Sequence, residues 1–314
     1  MVKKRVINNY QFIFILILTL SLLSISGCGA KNKMHDNLKN FQFTCLHEAD
    51  VFPPLDPEAD KWFKQAVQLS RQDNPDLKRI AQLYRQAVEK DHYIAIGNLQ
   101  VMISEGDAEP VAGKLPQEEV IDLVERLINM EIPFGYYIMG TYLQEGYGVE
   151  QDEIAAFSYM LKAAVMGNPE GQYAIGDKFM DAQVPELYRL DLGRAMLDCA
   201  SKQGFSEAAY ELGLHYSNSD FDKALYYFQK SAEYGHELGA FTLAKIFSTD
   251  DPNNRLDYLG QKIDLERVKR YSMIENELSK NPRAKFPDID KIVPLPPAPL
   301  PEWDGTFEYK KQVQ

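Results

Sequence analysis

The stretch that comes nearest to a ligand-binding motif is EGYGV at residues 145–149. A glycine-rich loop can hold a phosphate through backbone N–H groups, but such loops follow a strand and carry a nearby lysine. Here the preceding pattern is helical, the next lysine is Lys162, and Glu145 and Glu150 would repel a phosphate. We therefore interpret this segment as a turn between two packed helices.

Histidines and acids do not form a catalytic or metal-binding set elsewhere in the sequence. His47-Glu48 lacks the second histidine four residues on that a zinc-binding helix needs, and no Gly-x-Ser-x-Gly nucleophile turn is present. His215 lies beside Tyr216 at an expected packing position, and Glu118-Glu119 fits a helix start, where the helix dipole favours negative charge. The sequence therefore predicts a protein that is not an enzyme, with no cofactor and no metal.

The N-terminus predicts a secretory signal. Basic residues at positions 3–5 precede an apolar stretch over residues 12–25, which is short for a bilayer span of about 20 residues. The run LSISGC at residues 23–28 resembles a bacterial lipobox. This resemblance implies a signal peptide over residues 1–27 and lipidation of Cys28. Gly29, in place of an aspartate, further implies an outer membrane lipoprotein on the periplasmic face. An uncleaved signal anchor is the alternative.

The charge of the predicted mature chain is strongly acidic. The sequence has 34 Lys and Arg against 46 Asp and Glu, and removing the three basic residues of the signal leaves 31 against 46, a net charge of −15. Nucleic acid and anionic lipid surfaces both require a basic footprint. We therefore expect no nucleic-acid partner and attachment to membrane through lipid only, and a cationic protein surface is the natural partner.

The two remaining cysteines are Cys45 and Cys199. Cys199 lies in an apolar helical pattern, which favours a buried thiol. A disulfide between the two is the alternative, since the periplasm permits disulfides.

Glycine and alanine recur at a fixed period within a helical pattern. Gly140, Gly176 and Gly213 are 36 and 37 residues apart, and Ala244 follows 31 residues later. A second set (Gly167, Gly204 and Gly235) ends the alternate helices, at spacings of 37 and 31. Small residues allow helices to cross closely, and glycine accepts the left-handed conformation that ends a helix. Such self-similarity predicts a solenoid of helix pairs. The predicted units are 57–92, 93–132, 133–168, 169–204, 205–236 and 237–280.

The segments YYIMGTYLQEGYGVEQD and SEAAYELGLHY resemble the Sel1-like repeat, a relative of the tetratricopeptide repeat. The resemblance is good over about residues 130–250 and loose over 57–280. It implies an all-α, right-handed α-solenoid. We assign a tether to residues 28–56, in which Phe41, Phe43 and Leu46 can dock locally. The solenoid follows over 57–280, and a proline-rich C-terminal segment over 281–314.

The proline-rich run IVPLPPAPLPEWDG favours extended structure. It could be a ligand for a groove on another protein. We favour a strap that lies along the last helices and buries Leu295, Leu300 and Trp303.

A binding surface is expected on the first helix of each pair, because these helices line the concave face of such solenoids. Counting three residues back from each marker Gly or Ala gives one aromatic residue per repeat: Tyr137, Tyr173, Tyr210 and Phe241. Acidic residues accompany them: Glu145, Glu170, Asp177, Asp181 and Glu207. Aromatic anchors among charges suit protein recognition. Packing between repeats is the alternative for the aromatic residues.

Sel1-like lipoproteins with this layout resemble immunity proteins of bacterial type VI secretion systems. That resemblance implies a protein partner, a secreted effector of the lipase or phospholipase class, which this chain binds and neutralises. An envelope scaffold that assembles a protein complex is the alternative. Neither the partner's identity nor the stoichiometry follows from the sequence.

Overall fold

The computed structural model describes Leu38 and residues 40–311. Within them, twelve long helices form six consecutive pairs and no strand occurs. The helices are α1 Pro57–Ser70, α2 Leu77–Glu89, α3 Tyr93–Ser104, α4 Pro116–Asn129, α5 Pro133–Glu145, α6 Glu153–Val165, α7 Pro169–Met180, α8 Leu190–Lys202, α9 Ser206–Tyr216, α10 Phe221–Glu233, α11 Glu237–Ile246 and α12 Leu265–Lys280. A short 3-10 helix at Glu48–Asp50 precedes them, and short helices follow at Ile289–Ile292 (α13) and Glu308–Lys311 (α14). Each long helix packs against its neighbours in chain order, so the predicted all-α solenoid is confirmed.

Helix starts use side chains that accept hydrogen bonds from the free N–H groups of the first turn. Asp56 accepts from the N–H groups of Glu58 and Ala59 at 2.9 and 3.0 Å at the start of α1. Asn168 accepts from Gly171 at 2.8 Å at the start of α7. These caps satisfy donors that the helix itself leaves unpaired.

The marker glycines lie where paired helices cross. A Cβ atom at Gly140 of α5 would lie 2.7 Å from Met160 Cγ and 3.1 Å from the Ala156 carbonyl oxygen, both on α6. The turn at residues 145–149 joins these same helices, and Gly146 has a φ of 74° there, which favours glycine. The glycine-rich motif therefore connects a helix pair, as predicted, and no strand precedes it in the described chain.

Residues 40–52 form an N-terminal strap along α8, together with the short stretch at Leu38. Arg189 donates to the Leu38 carbonyl oxygen at 2.7 Å near the start of α8. At the end of α8, Gln203 accepts from the Glu48 N–H at 2.9 Å. The strap continues to Phe52, whose ring stacks on Tyr93 at 4.7 Å. The segment predicted as a tether over residues 28–56 is therefore held against the helices at Leu38 and over residues 40–52, where solenoid side chains bind its backbone.

Phe41 and Phe43 do pack against the core, as expected for local docking. Leu46 instead leaves its side chain 44% exposed, and its carbonyl oxygen accepts a hydrogen bond from Gln172 at 2.9 Å.

Cys45 and Cys199 form a disulfide with a Cα–Cα distance of 5.6 Å. The preference for a buried free thiol at Cys199 was wrong. Cys199 is indeed buried, but the N-terminal strap places Cys45 directly over it. The bond joins residues that are 154 positions apart, and so attaches the strap covalently to the fourth helix pair.

The C-terminal strap, residues 282–307, closes the other end of the solenoid. It buries Phe286, Ile289, Ile292, Val293 and Phe307 in a core shared with α10, α11 and α12. Leu295, Leu300 and Trp303 pack against the same core, as the strap prediction expected.

Two arginines of α12 bind the extended backbone of this strap. Arg270 donates to the carbonyl oxygens of Ile292 and Pro301 at 2.5 and 2.9 Å, and Arg267 donates to Ala298 at 2.6 Å. No helix among the described residues is both long and apolar enough to cross a membrane.

Candidate partner-binding surface on the first helices

Two consecutive first helices, those of the third and fourth pairs, lie side by side. Helices α5 and α7 pack directly against each other. Carboxylates of α9 lie close enough to Tyr173 of α7 to affect its titration. That the first helices line a concave face stays a prediction from the sequence.

Tyr173 is surrounded by acidic side chains. Its ring is partly buried and packs on the ring of Phe205, with centroids 5.3 Å apart. Burial raises the pKa of the Tyr173 hydroxyl, and the carboxylates of Glu211, Asp177 and Glu207 raise it further. One aromatic ring of the concave face is thus bordered by negative charge from its own helix and from α9.

Asp177 of α7 lies close enough to Glu211 of α9 for its charge to affect the pKa of Glu211. Burial raises the pKa of the Asp177 carboxyl. The charge of Lys178 lowers this pKa, and the charge of Asp181 raises it. Burial also raises the pKa of Glu211, and the charge of Asp177 adds to that effect. Within the described chain neither carboxylate has a hydrogen-bond or ion-pair partner. The two like charges are therefore left uncompensated on this face.

The other three aromatic residues lie in different surroundings. Tyr137 is partly buried against the core of the third and fourth pairs. Tyr210 stacks on His236 with ring centroids 4.5 Å apart. Phe241 is 40% exposed, and Lys245 Nζ lies 5.2 Å from its ring centre. Packing thus accounts for part of the aromatic series, and each ring also keeps some exposed surface.

The predicted acids divide into two groups. Asp177 and Glu207 belong to the surroundings of Tyr173, and Asp181 lies near Asp177. Glu145 and Glu170 lie near Tyr137, where burial first and then these two charges raise the pKa of the hydroxyl. Glu170 also accepts a hydrogen bond from the Asn168 amide at 2.7 Å. Phe241 lies apart from both groups, toward the C-terminal end.

Comparison with known families identifies the repeats. The Sel1 repeat matches residues 133–168 and 206–236. A domain of unknown function, DUF6396, matches residues 239–314, which span the last helix pair and the C-terminal strap. None of the curated proteins matches this chain in sequence.

Solved structures extend the likeness along most of the chain. The immunity protein Pa5087 from Pseudomonas aeruginosa is 32% identical, with a TM-score of 0.63 over 82% of this chain and 96% of that one. The chain belongs to the same family as Pa5087. The immunity protein PA5088 of the same organism is 29% identical, with a TM-score of 0.67 over 82% of this chain and 95% of that one. A Sel1 repeat protein from Oxalobacter formigenes, 20% identical with a TM-score of 0.55 over 70% and 87% of the two chains, shares the fold.

Glu211 was not predicted for the surface of this Sel1-repeat protein. It occupies a different register from Asp177, so comparison of the repeats did not select it. The usable signal was its spacing from Glu207, because residues four apart share one face of a helix.

Other titratable groups of the Sel1-repeat fold have structural partners. Arg194 donates to His215 Nε2 at 2.9 Å, and burial followed by the Arg194 charge lowers the pKa of this histidine, in keeping with a packing position. Cys45, His47 and Cys199 place possible metal-binding atoms within 4.8 Å of one another, but both sulfurs are committed to the disulfide. Cys28 lies outside the described residues.

Proposed function

We propose that this chain is an immunity protein that binds and neutralises a secreted antibacterial effector. The main support for this proposal is the 32% identity of the chain to the immunity protein Pa5087 over 96% of that protein. An inhibitor of this kind requires a complementary surface and no catalytic residues. A Sel1-repeat solenoid supplies such a surface, since consecutive first helices present an extended concave face.

The acidic composition favours a basic partner surface. The chain carries 46 acidic against 34 basic residues, and the acids include the group around Tyr173. Long-range attraction accelerates association between oppositely charged proteins, which favours capture of a toxin before it reaches its target.

The proposed location is the periplasmic face of the outer membrane, with lipid on Cys28 after cleavage of residues 1–27. The Cys45–Cys199 disulfide supports an oxidising compartment, since such bonds are rare in the bacterial cytosol. The proposed effector is a lipase or phospholipase delivered by a type VI secretion system. This part rests on the resemblance to type VI immunity proteins.

The test is neutralisation of the secreted protein encoded beside this gene. Residues 29–314, oxidised and purified, are titrated into the secreted protein while its lipid hydrolysis is measured. We expect the hydrolysis to fall with added protein until it saturates. In cells, loss of the gene should be harmful only when the secreted protein is present. Unchanged hydrolysis, together with a growth defect in cells that lack the secreted protein, would reject immunity and favour an envelope scaffold.

A further inference from the structure

We propose that Cys45, His47 and Cys199 form a zinc site when their disulfide is reduced, so that a bound zinc ion replaces the disulfide as the link between the N-terminal strap and α8. This inference is independent of the proposed function, because it concerns how the strap is held and not what the solenoid binds.

The first reason is that the donor types that zinc prefers converge at one point. Two sulfurs and one imidazole nitrogen, from Cys45, Cys199 and His47, all lie within 4.8 Å of one another. Zinc binds thiolate and imidazole ligands in a tetrahedron, and a Zn–S distance of about 2.3 Å puts two sulfurs about 3.8 Å apart. The Cα atoms of the two cysteines are 5.6 Å apart, so rotation of the side chains is enough to reach that separation.

The second reason is the ring of His47. The residue is partly buried, and within the described chain its ring makes no hydrogen bond, ion pair or ring contact. Its backbone is extended, with φ −106° and ψ 134°, and residues two apart in an extended chain point to the same side. His47 therefore points with Cys45 toward α8, while Leu46 between them is 44% exposed. By contrast, the rings of the other described histidines pack on aromatic rings: His92, His215 and His236.

Hydrogen bonds on both sides of His47 hold the strap in place without the disulfide. The Leu46 carbonyl oxygen accepts from the Gln172 amide at 2.9 Å, and the Glu48 N–H donates to the Gln203 side chain at 2.9 Å. Gln203 in turn donates to Gln172 at 3.0 Å, so these two partners are fixed to each other. Reduction therefore leaves the strap backbone beside α8, and zinc meets donors that are already gathered.

A dithiol reductant opens the site. It transfers two electrons and two protons, so that the sulfur–sulfur bond breaks, two cysteine thiols form, and the dithiol becomes a disulfide. Zinc(II) then binds both sulfurs as thiolates and the His47 ring as a neutral donor, and the two thiol protons pass to water. A water molecule supplies the fourth ligand, since Cys45 is exposed. Calcium and magnesium prefer oxygen ligands and do not suit this set.

The experiment measures zinc binding to residues 29–314, which include every described residue and hold two cysteines, Cys45 and Cys199. The probe is zinc(II) alone, added without oxygen to the oxidised chain and to the chain reduced by a phosphine. Competition with a chromophoric chelator gives Kd. We expect one zinc ion per reduced chain with Kd below about 1 µM, and no binding of that strength to the oxidised chain. Cobalt(II) in place of zinc should show the visible spectrum of tetrahedral thiolate coordination.

The variant His47→Gln tests whether the ring is a ligand. It keeps both cysteines, so the oxidised variant should retain its disulfide and its melting temperature, because the ring has no partner to lose. In the reduced variant we expect Kd for zinc to rise at least about 10-fold, since even the outer-shell partners of a metal ligand contribute that much. The matched control is His215→Gln, at a histidine that accepts from Arg194, and its Kd should equal that of the unchanged protein.

The stability of the reduced chain gives a second measurement. Zinc should raise the melting temperature of the reduced protein and leave that of the oxidised protein unchanged, because only the reduced fold binds it. If reduction alone unfolds the chain, zinc should restore its helical circular dichroism, and a failure to do so would overturn the proposal. Equal zinc affinity of the oxidised and reduced chains, or of reduced His47→Gln and the reduced unchanged protein, would also overturn it. The immunity proposal would stand in each case.

Discussion

The two ends of the chain fold back on the solenoid by different means. The C-terminal strap buries five large apolar side chains and binds the guanidinium groups of Arg267 and Arg270 through its backbone carbonyls. The N-terminal strap is attached by one disulfide, a few hydrogen bonds and the apolar contacts of Leu38, Phe41 and Phe43. Its Glu48 lies beside another carboxylate. The C-terminal strap therefore completes a core, whereas the N-terminal strap is a covalently held addition to finished helix pairs.

The largest expected effect tests the C-terminal strap. Deleting residues 282–314 should lower the melting temperature by more than ~10 °C, because Tyr271 and Phe247, now 0% and 1% exposed, would lose their cover. Thermal unfolding followed by circular dichroism measures this.

A milder variant covers the case in which the truncated chain does not fold. Phe286→Ala should cost about 3–5 kcal/mol, since Phe286 is 0% exposed. Pro299→Ala, at an exposed position of the same strap, is the control. Unchanged stability of both Phe286→Ala and the truncated chain would mean that the strap does not cap the core.

The next effect tests the covalent attachment of the N-terminal strap. Cys45→Ser should lower the free energy of unfolding by about 2–5 kcal/mol, because the crosslink restricts a loop of more than 100 residues in the unfolded chain. Denaturant unfolding of residues 29–314 measures it. A reductant should destabilise the unchanged protein by a similar amount and leave the variant unaffected. If the reductant destabilises both equally, the disulfide is not the cause.

A third prediction separates the arginine contacts from apolar burial at the C-terminal end. Arg270→Ala should cost about 2–4 kcal/mol, because the carbonyl oxygens of Ile292 and Pro301 lose a buried charged donor. Lys269→Ala on the same helix is the control, since Lys269 is 67% exposed and its contact with Glu266 is 3.8 Å long. If both variants lose the same free energy of unfolding, the loss reflects the helix propensity of α12 and not the contact with the strap.

The sequence was informative about the solenoid and uninformative about the N-terminal strap for one physical reason. Helix pairs are local structures, so their periodicity and the close crossing at residues such as Gly140 leave a repeating pattern. The strap meets α8 more than 140 residues away in sequence, and extended chain has no periodic signal. Cys199 is consistent with either a free thiol or a disulfide until the strap places Cys45 over it.

The inner face shows the same division between local and non-local information. Tyr173 was predicted because it repeats with the helices, and Asp177 because it is an acid that accompanies it. Glu211 was missed because its role depends on the distance between α7 and α9, which no single helix encodes. The presence of acids near Tyr173 could be predicted from helix spacing. Their lack of counter-charges could be seen only in the structure.

The smallest expected effect concerns Glu48, where the N-terminal strap meets the starts of α5 and α7. Burial raises the pKa of Glu48 to about 7, and the nearby Glu170 adds to this, while the Asn168 amide and the Phe134 N–H lower it. A carboxyl whose folded-state pKa is raised binds its proton more tightly when folded, so its contribution to stability is greatest at low pH. That contribution is lost as pH rises from about 4.5 to about 7.

We therefore expect Glu48→Gln to be more stable than the unchanged protein at pH 8 and close to it at pH 5, with a difference of a few degrees in melting temperature, about 1–2 kcal/mol. Glu58→Gln is the control, since it lies exposed at the start of α1 and pairs with Lys90 at 2.8 Å. A pH-independent difference for Glu48→Gln would mean that Glu48 is not titrating in this range. The N-terminal strap would then be held by its disulfide, hydrogen bonds and apolar contacts, with no contribution from the titration of Glu48.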